Sequence, residues 1–558
     1  MWLKAAPGAY QRFLDDAEVY WRGQVGGSDA GPVVYVEGLH HDIRVLLRGL
    51  TVANALRRVS PGRLVVLTGH DPRWSKSFAT PFDLGLVEQM ARAYGADDVI
   101  DIHALAEARL AGSAMTPVCS ARPISATHLE HCVDATYCRL ERVPRVTAPA
   151  RASAGFAYCR DKATALSAIF DELFAGETLA LVTSHVDYDQ WGLAVQAAQR
   201  AAVPVLHTQS TGSLKAYALF PEHSRGEQTL RAELTPQLGE FFTERVWRRR
   251  ERHQRAAERV AWRARGNLGR PSWWRGGGTA PVELTNAVER AQVRRHAAAR
   301  FGFDPDRPTV AVFNHALSDA PGTNREAFTD LAEWLEQTAA YARSERAVNW
   351  LFVNHPAQFR YDVTDLFGGI ATRYAGAPHM AFRGSAQLSK NVLWSLTDLG
   401  LTVRGSVSNE LPAYGIPVIQ AGWSEWSSCG LSLVAEDPAT YWRTLDATLA
   451  KLTAGQPAIT EDQVLRARLW LWFYRSATDV VSGLVPTWDL WPADHLLQAV
   501  RTYMRQVEPD GEPLFAAVER LWLRREPVLT RASLPAGGAA PPQARGAVLG
   551  AQPLLARD

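Results

Sequence analysis

At 558 residues the chain is too long for one compact core, and its length fits two to four domains. Hydrophobic content of 47% with 21% charged residues and a net charge of +2 marks a globular protein and excludes a disordered or collagen-like one. No apolar run approaches a membrane span, the first residues lack an apolar signal core, and five cysteines without metal-site spacing fit a reduced cytoplasmic compartment.

The first 25 residues, with Trp2, Phe13, Tyr20 and Trp21, read as an amphipathic helix. Val33–Glu37 is then a strand, followed by Gly38-Leu39-His40-His41 and a helix from about residue 42 to 59. Strands at 64–68 and 99–102 enclose a helix that includes 86–94. Strand, helix, strand, helix, strand at this spacing predicts a parallel sheet with covering helices. Residues 105–165 show no clear period and are expected as helices bordering the sheet. The pattern resumes with strands at 179–183 and 204–207, each leading into a polar loop, S-H-V-D-Y-D and T-Q-S-T-G-S. Ligands gather beyond the carboxyl ends of parallel strands, so Glu37, His40, His41, Ser184, His185, Asp187 and Asp189 fall on candidate functional loops. Asp187-x-Asp189 also has the carboxylate spacing of a metal-dependent transferase; the other reading is a helix cap plus a first-turn acid.

Residues 227–300 are poor in β-branched residues and rich in Arg, Glu and Ala, which predicts helix. Between Arg245 and Arg275 stand eleven Arg and two Glu, a local charge of +9, interleaved with Trp247, Trp262, Trp273 and Trp274. Such a stretch suits an acidic acceptor polymer or an anionic lipid surface, and equally a solvated linker helix with buried tryptophans. No nucleic-acid motif accompanies it.

A second α/β unit opens at Pro308. Thr309–Phe313 is a strand, N-H-A-L-S-D-A-P-G-T-N a polar loop, 325–342 a helix and 348–353 the next strand. Pro356 keeps His355 in extended backbone, so a His-Pro pair is presented at the strand's end. The densest signal runs from Asp398 to Gly422. Residues 401–404 read as a buried strand and Gly405-Ser406-Val407-Ser408-Asn409 as a loop of small residues. Asn409 is placed to cap a short helix with Pro412 in its first turn; Gly415 ends it, and 416–419 form another strand. A loop of that kind at a helix start offers N–H groups and the Ser406 and Ser408 hydroxyls to a phosphate, with Glu410 placed to accept from ribose hydroxyls. The alternative is an ordinary strand-turn-helix in which Glu410 complements the helix dipole. A helix at 441–452 follows, then a helical stretch over 460–525 with Trp470, Trp472, Trp488 and Trp491, and a Pro/Gly/Ala-rich end from about Thr530.

The run G-S-V-S-N-E-L-P-A-Y-G-I-P-V-I resembles the donor-site signature of bacterial surface-polysaccharide glycosyltransferases with two Rossmann-like domains, the GT-B fold. Capsular Kdo transferases and teichoic-acid glycerophosphotransferases share the pattern. The run N-W-L-F-V-N-H-P at 349–356 is similar to the His-Pro motif of the same proteins. The resemblance covers roughly residues 310–435 and implies an α/β fold of two Rossmann-like domains with a helical linker and a C-terminal helical cap. The expected divisions are an acceptor domain at 1–226, the Arg/Trp-rich linker at 227–304, a nucleotide-sugar domain at 305–455, the cap at 456–530 and a disordered tail at 531–558.

The implied activity is transfer of a sugar from a nucleotide donor onto a capsule-type or lipopolysaccharide-type acceptor, polymeric or lipid-linked. It would be carried out by a cytoplasmic protein that is peripheral at the inner membrane. Neither metal nor further cofactor is expected. The donor would be held by His355, Pro356, Gly405, Ser406, Ser408 and Glu410. Asp187 or His185 would serve as base, with Asp319 of L-S-D-A facing the cleft. Where the family has Thr or Ser directly before the acidic residue, this chain has S-V-S-N-E, so the individual hydroxyl contacts stay open. Three alternatives stay open as well: a nucleotide-linked alcohol phosphotransferase, an epimerase on the same fold, and a non-catalytic scaffold.

Overall fold

The computed structural model describes residues 7–25, 31–78, 80–112, 124–210, 213–260, 287–320, 325–485 and 493–534. Trp2, Trp262, Trp273, Trp274, Trp488 and Trp491, singled out above, lie outside the described residues, as does the end of the chain beyond 534.

Two six-stranded sheets organise the chain. The first holds β1 (Val33–Glu37), β2 (Arg63–Thr68), β3 (Asp98–Asp101), β4 (Thr178–Thr183), β5 (Val205–Ser210) and β6 (Leu214–Leu219), in the spatial order β3-β2-β1-β4-β5-β6. Its first five strands pair in parallel, and β6 returns antiparallel beside β5. The second holds β7 (Thr309–Phe313), β8 (Asn349–Asn354), β9 (Met380–Gly384), β10 (Leu399–Thr402), β11 (Val418–Gln420) and β12 (Leu433–Val434), all parallel, in the order β12-β11-β10-β7-β8-β9. Central strands such as T-V-A-V-F are buried along their whole length, because helices cover both faces.

The helix Ile43–Val59 shows how the layers assemble. Asp42 caps it by accepting the Arg44 N–H, and Ile43, Leu46, Leu47 and Leu50 fall at helical spacing onto the sheet. Beyond the second sheet, the helix Glu461–Trp472 packs on the turn Leu411–Tyr414. The chain then crosses back. Helices Ala493–Gln506 and Pro513–Arg524 pack on Pro7–Gln24 and Ile43–Val59, and Leu214 and Tyr217 of β6 bridge Val480 and Val528.

The structure departs from the expected elements in definite places. Thr208–Gln209–Ser210, expected as loop, extend β5 into a hairpin with β6, a strand not anticipated. β10 ends at Thr402, two residues earlier than expected, and takes in Gly400, where a Cβ would lie 2.7 Å from Leu411 Cδ1. The helix after β7 begins at Leu331, capped by Asp330, and not at 325. Ile102 opens a helix capped by Asp101 instead of ending a strand.

Each sheet reverses its strand order once, between β1 and β4 and between β7 and β10. A crevice opens beyond the carboxyl ends of the strands at such a point.

Candidate active site

The two reversal points meet. Past β4, Tyr188 opens a π-helical turn (Tyr188–Gly192) with left-handed backbone, φ 70°, and its hydroxyl donates to Asp319 past β7 at 2.9 Å. Further contacts flank this bridge: Arg231 stands 3.7 Å from Glu425, and the Thr235 hydroxyl donates to the Ser424 carbonyl at 3.3 Å.

On the first side, Glu37 ends β1 and Ser184 follows β4. One Glu37 oxygen accepts the Leu39 and His40 N–H groups at 2.9 Å; the other accepts the Ser184 N–H at 3.2 Å and its hydroxyl. A carboxylate only accepts, so the Ser184 proton is committed to it, and the Ser184 oxygen must accept from Nδ1–H of His185 at 2.9 Å. That leaves the lone pair of His185 Nε2 without a donor among the described residues. The His40 ring lies 5.1 Å from the His185 ring, 20° from parallel, and its Nδ1 accepts the Asp42 N–H at 2.9 Å. Neutral His40 therefore carries its proton on Nε2. Burial, with His185 beside it, pushes His40 down to about 3. Burial also lowers His185, against the pull of Glu37.

On the second side, Asn314-His315 follows β7, and Asn354 ends β8 with His355 directly after it. The two imidazoles lie 6.3 Å apart and 19° from parallel. Asn354 Oδ1 accepts the His355 N–H and the Asn314 amide, both at 2.9 Å. His355 Nδ1 accepts the Ala357 N–H at 3.2 Å, which puts the proton of the neutral ring on Nε2. Burial and the charge of Arg404 push His315 down to about 3. Arg404, after β10, donates to the backbone carbonyls of Asp319 and Ala320 and pairs with Glu326 at 3.0 Å, tying the ends of β10 and β7 together.

The expected site residues fall as follows. Both oxygens of Asp187 accept from Arg231, at 3.4 and 2.8 Å; burial would raise this carboxyl, but Arg231 holds it below the ordinary range. Asp189 turns inward. It is 0% exposed, Oδ1 accepts the Gln190 N–H at 2.7 Å, its own N–H donates to Thr136, and burial raises it. The two carboxylates thus diverge, and among the described residues no group of three or more His, Cys, Asp and Glu is disposed to hold a metal ion.

In the second domain the helix starts earlier than expected. Val407–Glu410 follows Ser406, whose side chain makes no capping bond, and Asn409 sits buried inside the helix instead of capping it. Ser408 is buried too, its hydroxyl donating to the Gly405 carbonyl at 2.7 Å and accepting from the Trp426 indole at 2.8 Å. Ser406 remains half-exposed, and the N–H groups of Ser406 and Val407 precede the bonds that Ser408, Asn409 and Glu410 make to the carbonyls of Gly405 and Ser406. Gly405 folds against Thr402, whose hydroxyl would lie 2.8 Å from a Cβ. Glu410 is buried between Lys390 at 2.9 Å and Arg475 at 3.0 Å. Pro356 is exposed. β7 lies between β8 and β10, so His315 stands between His355 and the 405–408 loop. His315 went unnoticed in the sequence, although Asn-His after a strand occurs twice, at 314–315 and 354–355.

Two Rossmann-like sheets with opposed reversal points and C-terminal helices that cross back are the GT-B arrangement. No protein-family model matches the chain, and no curated protein sequence does. Among solved structures it is similar to Thermosulfurimonas dismutans KpsC, a β-Kdo 2,4 transferase, at 14% identity and TM-score 0.31 over 52% of this chain and 80% of that one. It is also similar to Anabaena Alr3699/HepE, solved with UDP and glucose, at 11% identity and TM-score 0.26 over 85% of this chain and 99% of that one. The UDP-GlcNAc 2-epimerase of Methanocaldococcus jannaschii matches at 10% identity and TM-score 0.22, over 80% of this chain and 100% of that one. Likeness this slight carries no argument about chemistry.

Proposed function

We propose that this protein is a glycosyltransferase that moves a sugar from a nucleotide donor to an acceptor hydroxyl of a surface polysaccharide, in the cleft between its two sheets. The observation that carries this reading is the meeting of the two strand-order reversals at Tyr188–Asp319, with a histidine pair on each side.

His185 is the general base in preference to Asp187, whose oxygens are both taken by Arg231. Its Nε2 accepts the acceptor's hydroxyl proton as that oxygen bonds to the anomeric carbon. The bond from that carbon to the nucleotide phosphate breaks, and the phosphate leaves with the electron pair. Ser184 and Glu37 hold the ring by Nδ1 and stabilise the imidazolium that forms. The leaving phosphate is met by Nε2–H of His355, the N–H groups of Ser406 and Val407 and the Ser406 hydroxyl, with Gly405 and Pro356 shaping the approach. These donors meet the phosphate's charge without a divalent cation. Glu410, held by Lys390 and Arg475, accepts from the ribose.

The test is nucleotide release from a panel of CMP-, UDP-, GDP- and CDP-sugars with capsule-type acceptors, in manganese and in EDTA. Release with one donor in both buffers, lost in His185→Ala, is expected. No release from any donor counts against the reading, and turnover that requires manganese counts against the metal-free mechanism.

A further inference from the structure

Among the described residues the other buried arginines each have an oxygen to donate to. Arg48 donates to the Thr208 hydroxyl at 3.3 Å, Arg57 to the Gly62 carbonyl and to Asn54, and Arg501 to Asp16. Arg139, near the end of the helix Ala126–Glu141, is the exception. It is only 6% exposed, yet among the described residues no carboxylate pairs with it and no oxygen accepts from its guanidinium, and Nη1 is closed off from the surface without a partner. What holds the group is two aromatic rings from opposite sides of the cleft. Phe78 of the first domain lies 5.6 Å from the guanidinium carbon and Tyr361 of the second lies 4.4 Å from it.

Aromatic rings accept no hydrogen bond in the plane of a guanidinium, so its planar fork of N–H donors stays available, and a carboxylate or phosphate meets such a fork with two parallel hydrogen bonds. A buried charge with unmet donors is costly and calls for a function. Asp319 feels Arg139 through space, but its carboxylate accepts from Tyr188 and lies beyond ion-pair distance of Arg139. The location is equally specific. The Phe78 ring is 5.3 Å from His40, and the Tyr361 ring is 6.4 Å from His355. Arg139 thus stands between the side of the cleft that holds the base and the side that holds the leaving group.

We propose that Arg139 is an oxyanion subsite that selects the sugar substrate: it binds a carboxylate or phosphate carried by that sugar and discriminates against neutral sugars. This rests on the reading that the cleft takes a sugar. Tyr361 belongs to the second domain, so parting of the domains uncovers the guanidinium for entry.

The full chain is titrated calorimetrically with glucuronate, glucose 6-phosphate, glucose and inorganic phosphate. Expected is at least tenfold tighter binding of one charged sugar than of glucose, with Arg139→Gln bringing it to the neutral level. Equal affinity for all three sugars, no binding by any of them, or a preference that survives Arg139→Gln overturns the proposal. Inorganic phosphate binding as tightly as the charged sugars assigns Arg139 to free phosphate and overturns it too. If Arg139→Gln does not fold, Arg139→Lys keeps the charge but loses the fork, and an undiminished preference in that variant is the overturning result. CMP, UDP, GDP and CDP titrated into His355→Ala report on the donor site separately. Loss of nucleotide binding there, with the charged-sugar preference intact, distinguishes failure of one reading from failure of the other.

Discussion

Glu37 is hydrogen-bonded to His185 through the hydroxyl of Ser184 and also acts on it through space, and that charge sets how the base behaves across pH. His185 lies below the ordinary histidine value because it is buried, and the Glu37 charge opposes the drop. A base works deprotonated, so the acid limb of kcat/KM reports the His185 value. Glu37→Gln removes the opposing charge and should move that limb to lower pH; a limb that stays or rises sinks the assignment. His185→Ala should cost about 10²- to 10⁴-fold in kcat. On the other side of the cleft, His355→Ala removes a charge-assisted hydrogen bond to the phosphate of about 1.5–3 kcal/mol, or about 10- to 100-fold in turnover efficiency, without unfolding the chain. Glu410→Ala should weaken nucleotide binding through the ribose, and it also leaves Lys390 and Arg475 without their carboxylate. A structural role for either residue predicts the opposite pattern: a lower melting temperature with nucleotide affinity per folded molecule unchanged. Unchanged affinity in both folded variants would remove the donor site from this cleft.

Among the elements, β6 shows where a sequence stops being legible. L-K-A-Y-A-L is buried at all six positions, yet a lysine in second place argues against a buried strand. Lys215 is 1% exposed and becomes tolerable only because the Thr478 hydroxyl, the Asp479 carboxylate and the Tyr474 ring and carbonyl, far along the chain, converge on its ammonium. The alternation of strand and helix was readable, because parallel strands covered on both faces are short apolar runs. The place of His355 directly after a strand was readable through Pro356. The partners were not: Arg231, on a different element 44 positions from Asp187, ties up that carboxylate, and Trp426 claims the Ser408 hydroxyl. Those facts exist only once the helices are packed. The same logic makes Lys215 a test of the crossing segment, for Arg475 on that π-helical turn (Phe473–Ala477) also holds Glu410. Lys215→Met breaks a buried pair whose acid is partly exposed and should cost about 3 kcal/mol. Urea unfolding measures it; a loss under about 1 kcal/mol would make the pairing incidental.

For the molecule as a whole, the remaining question is where it works. No described helix is long and apolar enough to cross a membrane. A basic surface does exist, for Arg248, Arg250, Arg252 and Arg255 are exposed on the turn Trp247–Arg249 and the helix Arg250–Val260. That surface is fastened to the C-terminal helix Glu461–Trp472, where Arg466 lies 4.0 Å over Trp247 and His253 stacks 4.5 Å from Trp472. The tryptophans at this site therefore serve packing, and the arginines are what face outward. An arginine near an anionic leaflet contributes about 1 kcal/mol. Arg248 spends part of its charge on Glu244, at 2.6 Å, so the triple change of Arg248, Arg250 and Arg252 to Gln should cost somewhat under 3 kcal/mol, approaching about 100-fold in membrane partition. The measurement is flotation with phosphatidylserine-containing vesicles against neutral phosphatidylcholine ones, at about 0.1 M and about 1 M salt, where the screening length falls from about 10 Å to about 3 Å. Binding should require the anionic lipid, weaken in the higher salt and nearly vanish in the triple variant. Turnover on a soluble acceptor should stay the same, because these exposed arginines lie on a turn and a helix that carry neither histidine pair. Flotation indifferent to both salt and substitution would leave the basic stretch as a solvated linker and remove the membrane from this account.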